Sequence, residues 1–306
     1  MHRNNRVIFT LLIGAALGAA AAGAWAVIGS GKASAELDGT LKKARDTGVL
    51  TVGYRTDAMP FSYAGKEGRP AGYGNAVCRK IADEVGKAVG RPVSVKWVPI
   101  TAANRIPLLL SGDYDIECGA TTNTLERQKQ VDFGTTYYRV AITAAVKSSA
   151  IAKSFKDLDG RTVAVTEGTT AVGLVDQLRG KGISVRVSKA QSQPDNFRML
   201  AEGRIDASVM DDVLLAGLIA HTPIPSEYKL IEKPLAEEPY GPMLRKDPQF
   251  KALVDKTITG MMRSGELKKL YDSWFTQPIE PENVNLRFPM NRPTMKAFAY
   301  PNSEGV

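Results

Sequence analysis

Metal ligands are scarce in this chain of 306 residues: it has two cysteines, Cys78 and Cys118, and two histidines, His2 and His221. A structural zinc centre takes four such ligands, and with His2 at the extreme N-terminus only three remain in the body of the chain, so no metal is expected, and no other cofactor either. Catalytic signatures are missing too. There is no G-x-S-x-G, H-E-x-x-H or P-loop pattern. Gly72-Tyr73-Gly74 lacks the third glycine and the preceding strand of a dinucleotide fingerprint. No basic tract or aromatic platform accompanies the formal net charge of +8. Lysines and arginines alternate with acids, as on a solvated surface, and no nucleic-acid partner is expected. Beyond residue 36 no apolar run approaches the roughly 18 residues of a membrane span.

What the chain does have starts at its first residues. Arg3 and Arg6 precede an apolar stretch over residues 7–28, and Ala33-Ser34-Ala35 follows in the A-x-A arrangement. A basic start, an apolar middle and a small-residue exit describe a secretory signal over residues 1–35. At 22 residues the stretch is also long enough to cross a bilayer. An uncleaved N-terminal anchor is therefore the competing reading, with cleavage after Ala35 preferred. In either case residues 36–306 are exported. No cysteine follows the stretch, which argues against a lipid anchor. In an exported chain Cys78 and Cys118 permit one disulfide or remain two buried thiols.

The body reads as strands alternating with helices, the pattern of an α/β fold with largely parallel sheets. Strands are expected at 49–54, 93–100 and 116–119, with helices at 76–89, from a Thr101 cap to 110, and at 124–129. The pattern restarts with strands at 161–165, 183–188 and 207–210. Its helices open at Gly168-Thr169-Thr170, at Pro194 and at Val213. A weak internal echo joins the halves. Around Gly112 and again around Gly203 a helix ends at glycine, an aspartate (Asp115, Asp206) follows three residues later, and a buried strand begins. The β-rich run 137–146 and the return at 239–244 suggest two crossings between two lobes, a hinge. Helices at 250–262 and 267–274 follow, and the Pro-rich tail is expected to wrap over the first lobe.

Three arginines sit at strand exits or helix starts, unusual places for cations because of the helix dipole. Arg55 follows the first strand, Arg105 lies in the first turn after Thr101, and Arg127 lies in the first turn after Thr122 and Thr124. A bound anion explains such placement, because guanidinium donors match a carboxylate in pairs. The alternative is surface pairing with neighbours such as Asp57 or Glu126. Asp211, at the exit of the last strand, can hold an ammonium group, or else it or Asp212 caps the next helix. Gly168-Thr169-Thr170 can donate to a carboxylate, or simply cap.

These residues lie in segments that resemble the extracellular solute-binding proteins of family 3, particularly members that serve ABC importers of glutamate and aspartate. The resemblance rests on VLTVGYR (49–55), PFSY (60–63), VPITAANRIPLLLSGDYDIECGATTNTLERQKQVDF (98–133), VAVTEGTT (163–170), MDDVLLAG (210–217) and EPYGPMLRKDPQF (238–250). It extends over nearly all of residues 36–302.

The resemblance implies a type II periplasmic-binding-protein clamshell of two α/β lobes joined by two hinge strands. Residues 36–140 with 241–306 would form lobe 1, and 141–240 lobe 2. It implies Arg127 with Thr122 on an α-carboxylate, Asp211 on an α-ammonium, and Arg55 with Arg105 on a side-chain carboxylate. Thr169 and Thr170 would contribute from the second lobe, with Phe61 as an aromatic wall. Cys78 and Cys118 match positions that hold cysteines together in part of the family. The expected protein is a periplasmic monomer with an amino-acid ligand and an inner-membrane permease as partner. Ala102 and Ala120 stand where close relatives have serine, Gln193 stands near a histidine position, and Ala76 replaces a frequent aspartate. Those departures leave a neutral ligand such as glutamine or asparagine as an alternative. A small-dicarboxylate dehydratase on the same fold is another, with Glu167 as its candidate acid.

Overall fold

The computed structural model describes residues 36–306, and the expected leader lies outside the described residues. The first parallel strand of each half has mostly buried side chains, Val49–Arg55 behind the helix Gly39–Thr47 and Thr162–Thr166 in the second half. Such strands need helices on both faces of their sheet. The first sheet runs Ser94–Ile100, Val49–Arg55, Ile116–Glu117, Met243–Leu244, Asp132–Phe133. Met243–Leu244 is antiparallel to both its neighbours. The second runs Arg186–Ala190, Thr162–Thr166, Ala207–Asp211, Tyr138–Lys147, Tyr228–Leu230, with Tyr138–Lys147 antiparallel to its neighbours. In chain order within each lobe, both sheets therefore read second, first, third, antiparallel insert, fourth.

The internal echo has a physical basis. Asp115 accepts the Thr51 N–H through Oδ2 at 3.0 Å, and Asp206 accepts the Thr162 N–H through Oδ2 at 2.8 Å. Each aspartate returns its own N–H to the carbonyl of the same strand residue, at 2.8 Å in both lobes. The helix-ending glycines Gly112 and Gly203 both take positive φ, the conformation that glycine adopts without a Cβ penalty.

Two strands cross between the lobes. Tyr138–Lys147 carries the chain into the second lobe, and Ala236–Tyr240 returns antiparallel beside it, with Tyr240 opposite Tyr138. The two sheets of like order and this paired crossing are the clamshell that the sequence led us to expect. Aromatic rings pack where the strands meet. Phe61 is fully buried and stands edge-on to Tyr138, Tyr240 and Phe275, at centroid distances of 4.8, 5.2 and 5.5 Å. Edge-to-face pairs add about 0.5–1.5 kcal/mol each beyond the area they bury.

The helix Tyr73–Val89 buries Val77, Cys78, Ile81, Ala82 and Val85 along one stripe. Cys78 is bridged to Cys118 with Cα atoms 5.8 Å apart, so the paired reading of the two cysteines holds. Gly74 makes the close approach possible, since a Cβ there would overlap the Cys118 carbonyl oxygen.

Two local expectations change. The helix after the second strand is Arg105–Ser111, entered at Asn104 rather than at Thr101. Thr101 and Asn104 instead exchange bonds, Thr101 N–H to Asn104 Oδ1 at 2.7 Å and Asn104 N–H to Thr101 Oγ1 at 3.1 Å. The tail is also more ordered than its prolines suggest. It forms a short ribbon, Pro278–Ile279 with Val284–Asn285, and a helix, Arg292–Ala299. It packs on the first lobe, where Tyr63 Oη donates to Glu280 O at 2.7 Å. It also holds the hinge, since Arg139 N–H donates to Thr294 Oγ1 at 3.0 Å and Asn291 Nδ2 to Arg139 O at 2.8 Å. Beyond the helix, Leu125 N–H donates to Val306 O at 2.8 Å and Val306 N–H to Asn123 O at 3.1 Å. Among the described residues no helix is long and apolar enough to cross a membrane.

Candidate functional site

Arg55 ends the first strand with a fully buried side chain. Its backbone N–H donates to Ser62 Oγ at 2.9 Å and its Nε to Asp57 Oδ1 at 2.8 Å. Nη2 lies 2.7 Å from the same oxygen but is not aligned as a hydrogen bond. Both terminal nitrogens are thus buried without a hydrogen-bond partner. The pairing with Asp57 raised from sequence is real, yet it is buried rather than superficial. A buried cation with unused donors costs several kcal/mol unless an anion meets it.

Arg105 begins its helix and is 2% exposed. Its Nη1 donates to Ala120 O at 3.2 Å and its Nη2 to Gly168 O at 3.1 Å, while Nε is buried and unpaired. Arg127 is partly exposed, with Nη1 on Thr122 O at 2.8 Å and Nη2 on Gly168 O at 3.2 Å. Thr124 caps the short helix Leu125–Gln128 by accepting the Arg127 N–H. Glu126 pairs with Lys129, not with Arg127. Two first-lobe arginines therefore converge on one carbonyl of the second lobe. Burial, then Arg127 and Arg55, push Arg105 down to about 9, and burial also lowers Arg127. An anion among them would offset both penalties.

Gly168 is built for this approach. Its φ is +75°, and a Cβ would come within 2.5 Å of Ala102 O. Neither condition suits any residue but glycine. Ala102 and Ala120 are both buried and bring no hydroxyl to the cleft.

On the second lobe Asp211 ends its strand, 7% exposed. Its side chain caps nothing. Asp212 instead accepts N–H groups from Val213 at 2.8 Å and Ala141 at 3.2 Å. Asp211 Oδ1 accepts the Tyr240 hydroxyl at 2.6 Å. Burial, and after it the Glu238 carboxylate, push Asp211 up to about 7.

The threonines are brought to the cleft, but their hydroxyl protons are already committed. Thr122 and Thr170 both donate to Glu238 Oε2 at 2.7 Å, and Thr169 donates to Thr166 O at 2.7 Å. Gln193 is buried, its backbone N–H donates to Asp57 Oδ2 at 3.3 Å, and its side-chain Oε1 has no hydrogen-bond partner. Phe61 lies behind these groups, supporting Tyr240 by ring contact. Glu167 turns outward to accept Gln191 Nε2 at 2.9 Å, so it is not an acid poised in the cleft.

Three participants escaped the sequence reading. Glu238 and Tyr240 lie on the return strand Ala236–Tyr240, in the quoted EPYGPM segment, which the sequence marked only as a crossing. Glu117 is fully buried with both carboxylate oxygens unpaired. A charged residue inside a short buried strand was its signal.

Comparison with known proteins agrees with this geometry. Residues 50–277 match the model of the bacterial extracellular solute-binding proteins, family 3. An L-glutamate/L-aspartate-binding protein of Pseudomonas aeruginosa is 42% identical over 275 residues, 89% of this chain and 91% of that one. A glutamate/aspartate import solute-binding protein of Escherichia coli is 40% identical over 270 residues, 87% and 89% of the two chains. Among solved structures, an ancestral amino acid-binding protein described as a precursor of cyclohexadienyl dehydratase superposes with TM-score 0.69 at 30% identity. It covers 78% of this chain and 100% of its own. ArgBP from T. maritima in its holo form gives TM-score 0.65 at 27% identity, covering 75% and 99%. With a family model spanning most of its length and relatives at 40% identity or more across nearly nine-tenths of it, the chain belongs to the bacterial extracellular solute-binding proteins, family 3.

Proposed function

We propose that this solute-binding protein is the exported, periplasmic component of an ABC importer, capturing glutamate or aspartate between its lobes for an inner-membrane permease. Residues 36–140 with 241–306 form lobe 1 and residues 141–240 lobe 2, behind a leader over residues 1–35. The protein acts as a monomer. Arg127 holds the α-carboxylate, Asp211 the α-ammonium, and Arg55 with Arg105 the side-chain carboxylate. The observation that carries this reading is the gathering of three arginines, two of them almost fully buried with unused donors, opposite the buried Asp211. Two carboxylates and one ammonium complement that charge pattern. The names of the relatives from P. aeruginosa and E. coli support the same ligand class.

The chain acts by binding, not by catalysis. Closure withdraws the charge-assisted bonds from water, and the ligand stabilises the closed form by its differential affinity for it. A neutral ligand is the competing reading. It rests on Gln193, whose buried, unpaired Oε1 suits an amide N–H. Thermal melting of residues 36–306 with each of the twenty amino acids, followed by calorimetry, decides between them. A ligand at 100 times its Kd stabilises by about 2.7 kcal/mol. Shifts with glutamate and aspartate that vanish in Arg105→Ala support the acidic ligand. Shifts confined to glutamine or asparagine overturn it.

A further inference from the structure

Glu238 belongs to neither lobe's ligand set as read from sequence, yet hydroxyls from both lobes meet on its carboxylate. It lies on the return strand Ala236–Tyr240 and is 3% exposed. Across the hinge strand Tyr138–Lys147 it pairs with Val140, while Asp211 pairs with Ile142. Residues paired in register point to the same face, and positions two apart on one strand share a face. Glu238 and Asp211 therefore project on the same side of the sheet, with the hinge strand between them. Tyr240 projects there too, and its hydroxyl reaches Asp211 at 2.6 Å.

The Glu238 carboxylate is fixed by one donor from each lobe, Thr122 and Thr170, both bound to Oε2 at 2.7 Å. A hydroxyl has a single proton to give. While these two bonds stand, the threonines orient Glu238 and donate nothing to a ligand carboxylate. Arg127 meets the same turn through the Thr122 carbonyl at 2.8 Å. A cationic group and two acids thus adjoin, the complement of a carboxylate and an ammonium on one carbon.

We infer that Glu238 is a specificity-determining residue which, with Asp211, forms a two-carboxylate seat for the ligand's α-ammonium and so selects amino acids over dicarboxylates that lack the amine. This rests on the reading of the cleft as an amino-acid site. Two like charges in a buried space repel each other and favour a cation between them. A dicarboxylate of the same length, with no ammonium, meets both acids uncompensated and is rejected.

The test compares glutamate with glutarate, which has the same two carboxylates and no amine, so that effects on carboxylate binding cancel in the ratio of Kd values. Glutamate is titrated by calorimetry and glutarate by competition against it, in wild type, Asp211→Asn, Glu238→Gln and Glu238→Asp. Losing one charge-assisted partner should lower the preference for glutamate at least about tenfold in Asp211→Asn and in Glu238→Gln. Glu238→Asp, which withdraws the charge without removing it, should give a smaller fall and serves if the Gln variant does not fold. A ratio unchanged within about threefold in the Glu238 variants, with both ligands weakened alike, overturns the inference and leaves Glu238 a holder of hydroxyls. Wild-type protein that binds no amino acid overturns the reading of the cleft itself, a result visible before any variant is compared.

Discussion

The backbone N–H of Gln193 donates to Asp57 Oδ2 at 3.3 Å, joining a helix of the second lobe to the acid that neutralises Arg55. One carboxylate thus serves charge balance through one oxygen and lobe closure through the other.

Removing that carboxylate strands a buried guanidinium. Asp57→Ala should lower stability by about 3 kcal/mol in urea titrations, the lower end of what breaking a buried pair costs. Glutamate can replace the lost anion, so its thermal shift should be larger in the variant than in wild type. An equal or smaller shift would count against placing the ligand's side-chain carboxylate at Arg55.

Acidification should stabilise the ligand-free protein. Burial pushes Asp211 up to about 7 and Asp212 up to about 6. A carboxyl raised above its unfolded value near 4 binds its proton more tightly in the native state. The stabilisation is complete below about 4 and lost as pH rises through the folded values of about 6 and about 7. Melting temperature should therefore fall between about pH 4 and 7, and Asp211→Asn should remove the part of the fall that lies between about 6 and 7. Glutamate affinity should move oppositely, weakening below about pH 7 as Asp211 loses its charge. A wild-type melting temperature that climbs across this window, with no change in Asp211→Asn, would sink the idea.

Gly168→Ala should impair closure more than folding. The new Cβ meets the Ala102 carbonyl and the backbone keeps a left-handed φ. We expect a strained residue worth about 1–3 kcal/mol to appear as a glutamate Kd weakened about tenfold or more, with little loss of secondary structure. Small-angle scattering should show a larger radius of gyration at saturating ligand than for wild type. Unchanged affinity would show that the lobes need not meet at this point.

Breaking the Cys78–Cys118 bridge opens a loop whose ends are 40 residues apart in sequence. The chain-entropy relation gives a loss of about 4 kcal/mol. The double variant Cys78→Ser/Cys118→Ser should show it as an earlier denaturant midpoint, with ligand binding retained at low temperature. A midpoint equal to wild type would mean that the bridge adds nothing to the helix and strand packing it joins.

Elements set by local pattern were legible in the sequence. The strand Val49–Arg55, the helix Tyr73–Val89 and the twin aspartates Asp115 and Asp206 follow from hydrophobic spacing, glycine stops and internal similarity. Arg105 and Arg127 were legible because a cation at a helix start contradicts the dipole, and Arg55 because it stands at a strand exit. Glu238 was not, since its partners Thr122 and Thr170 are 116 and 68 residues away, and no local pattern encodes which hydroxyl meets which acid. For the same reason the threonines were assigned to a ligand carboxylate although Glu238 holds two of them. The helix Arg292–Ala299 did leave a signature, Asn291 as its cap with a proline in the first turn. It was overshadowed by the prolines around it.

The tail gives this molecule a handle that designers of optical sensors should treat with care. Val306 is hydrogen-bonded in both directions to the turn that bears Arg127, and Thr294 and Asn291 grip the hinge strand at Arg139. A fluorescent domain fused behind Val306 would pull on the turn that bears Arg127 and should itself shift any affinity that depends on it. A dye on the far side of the second lobe, for instance at the exposed Ile151, would report opening and closing without touching what it measures.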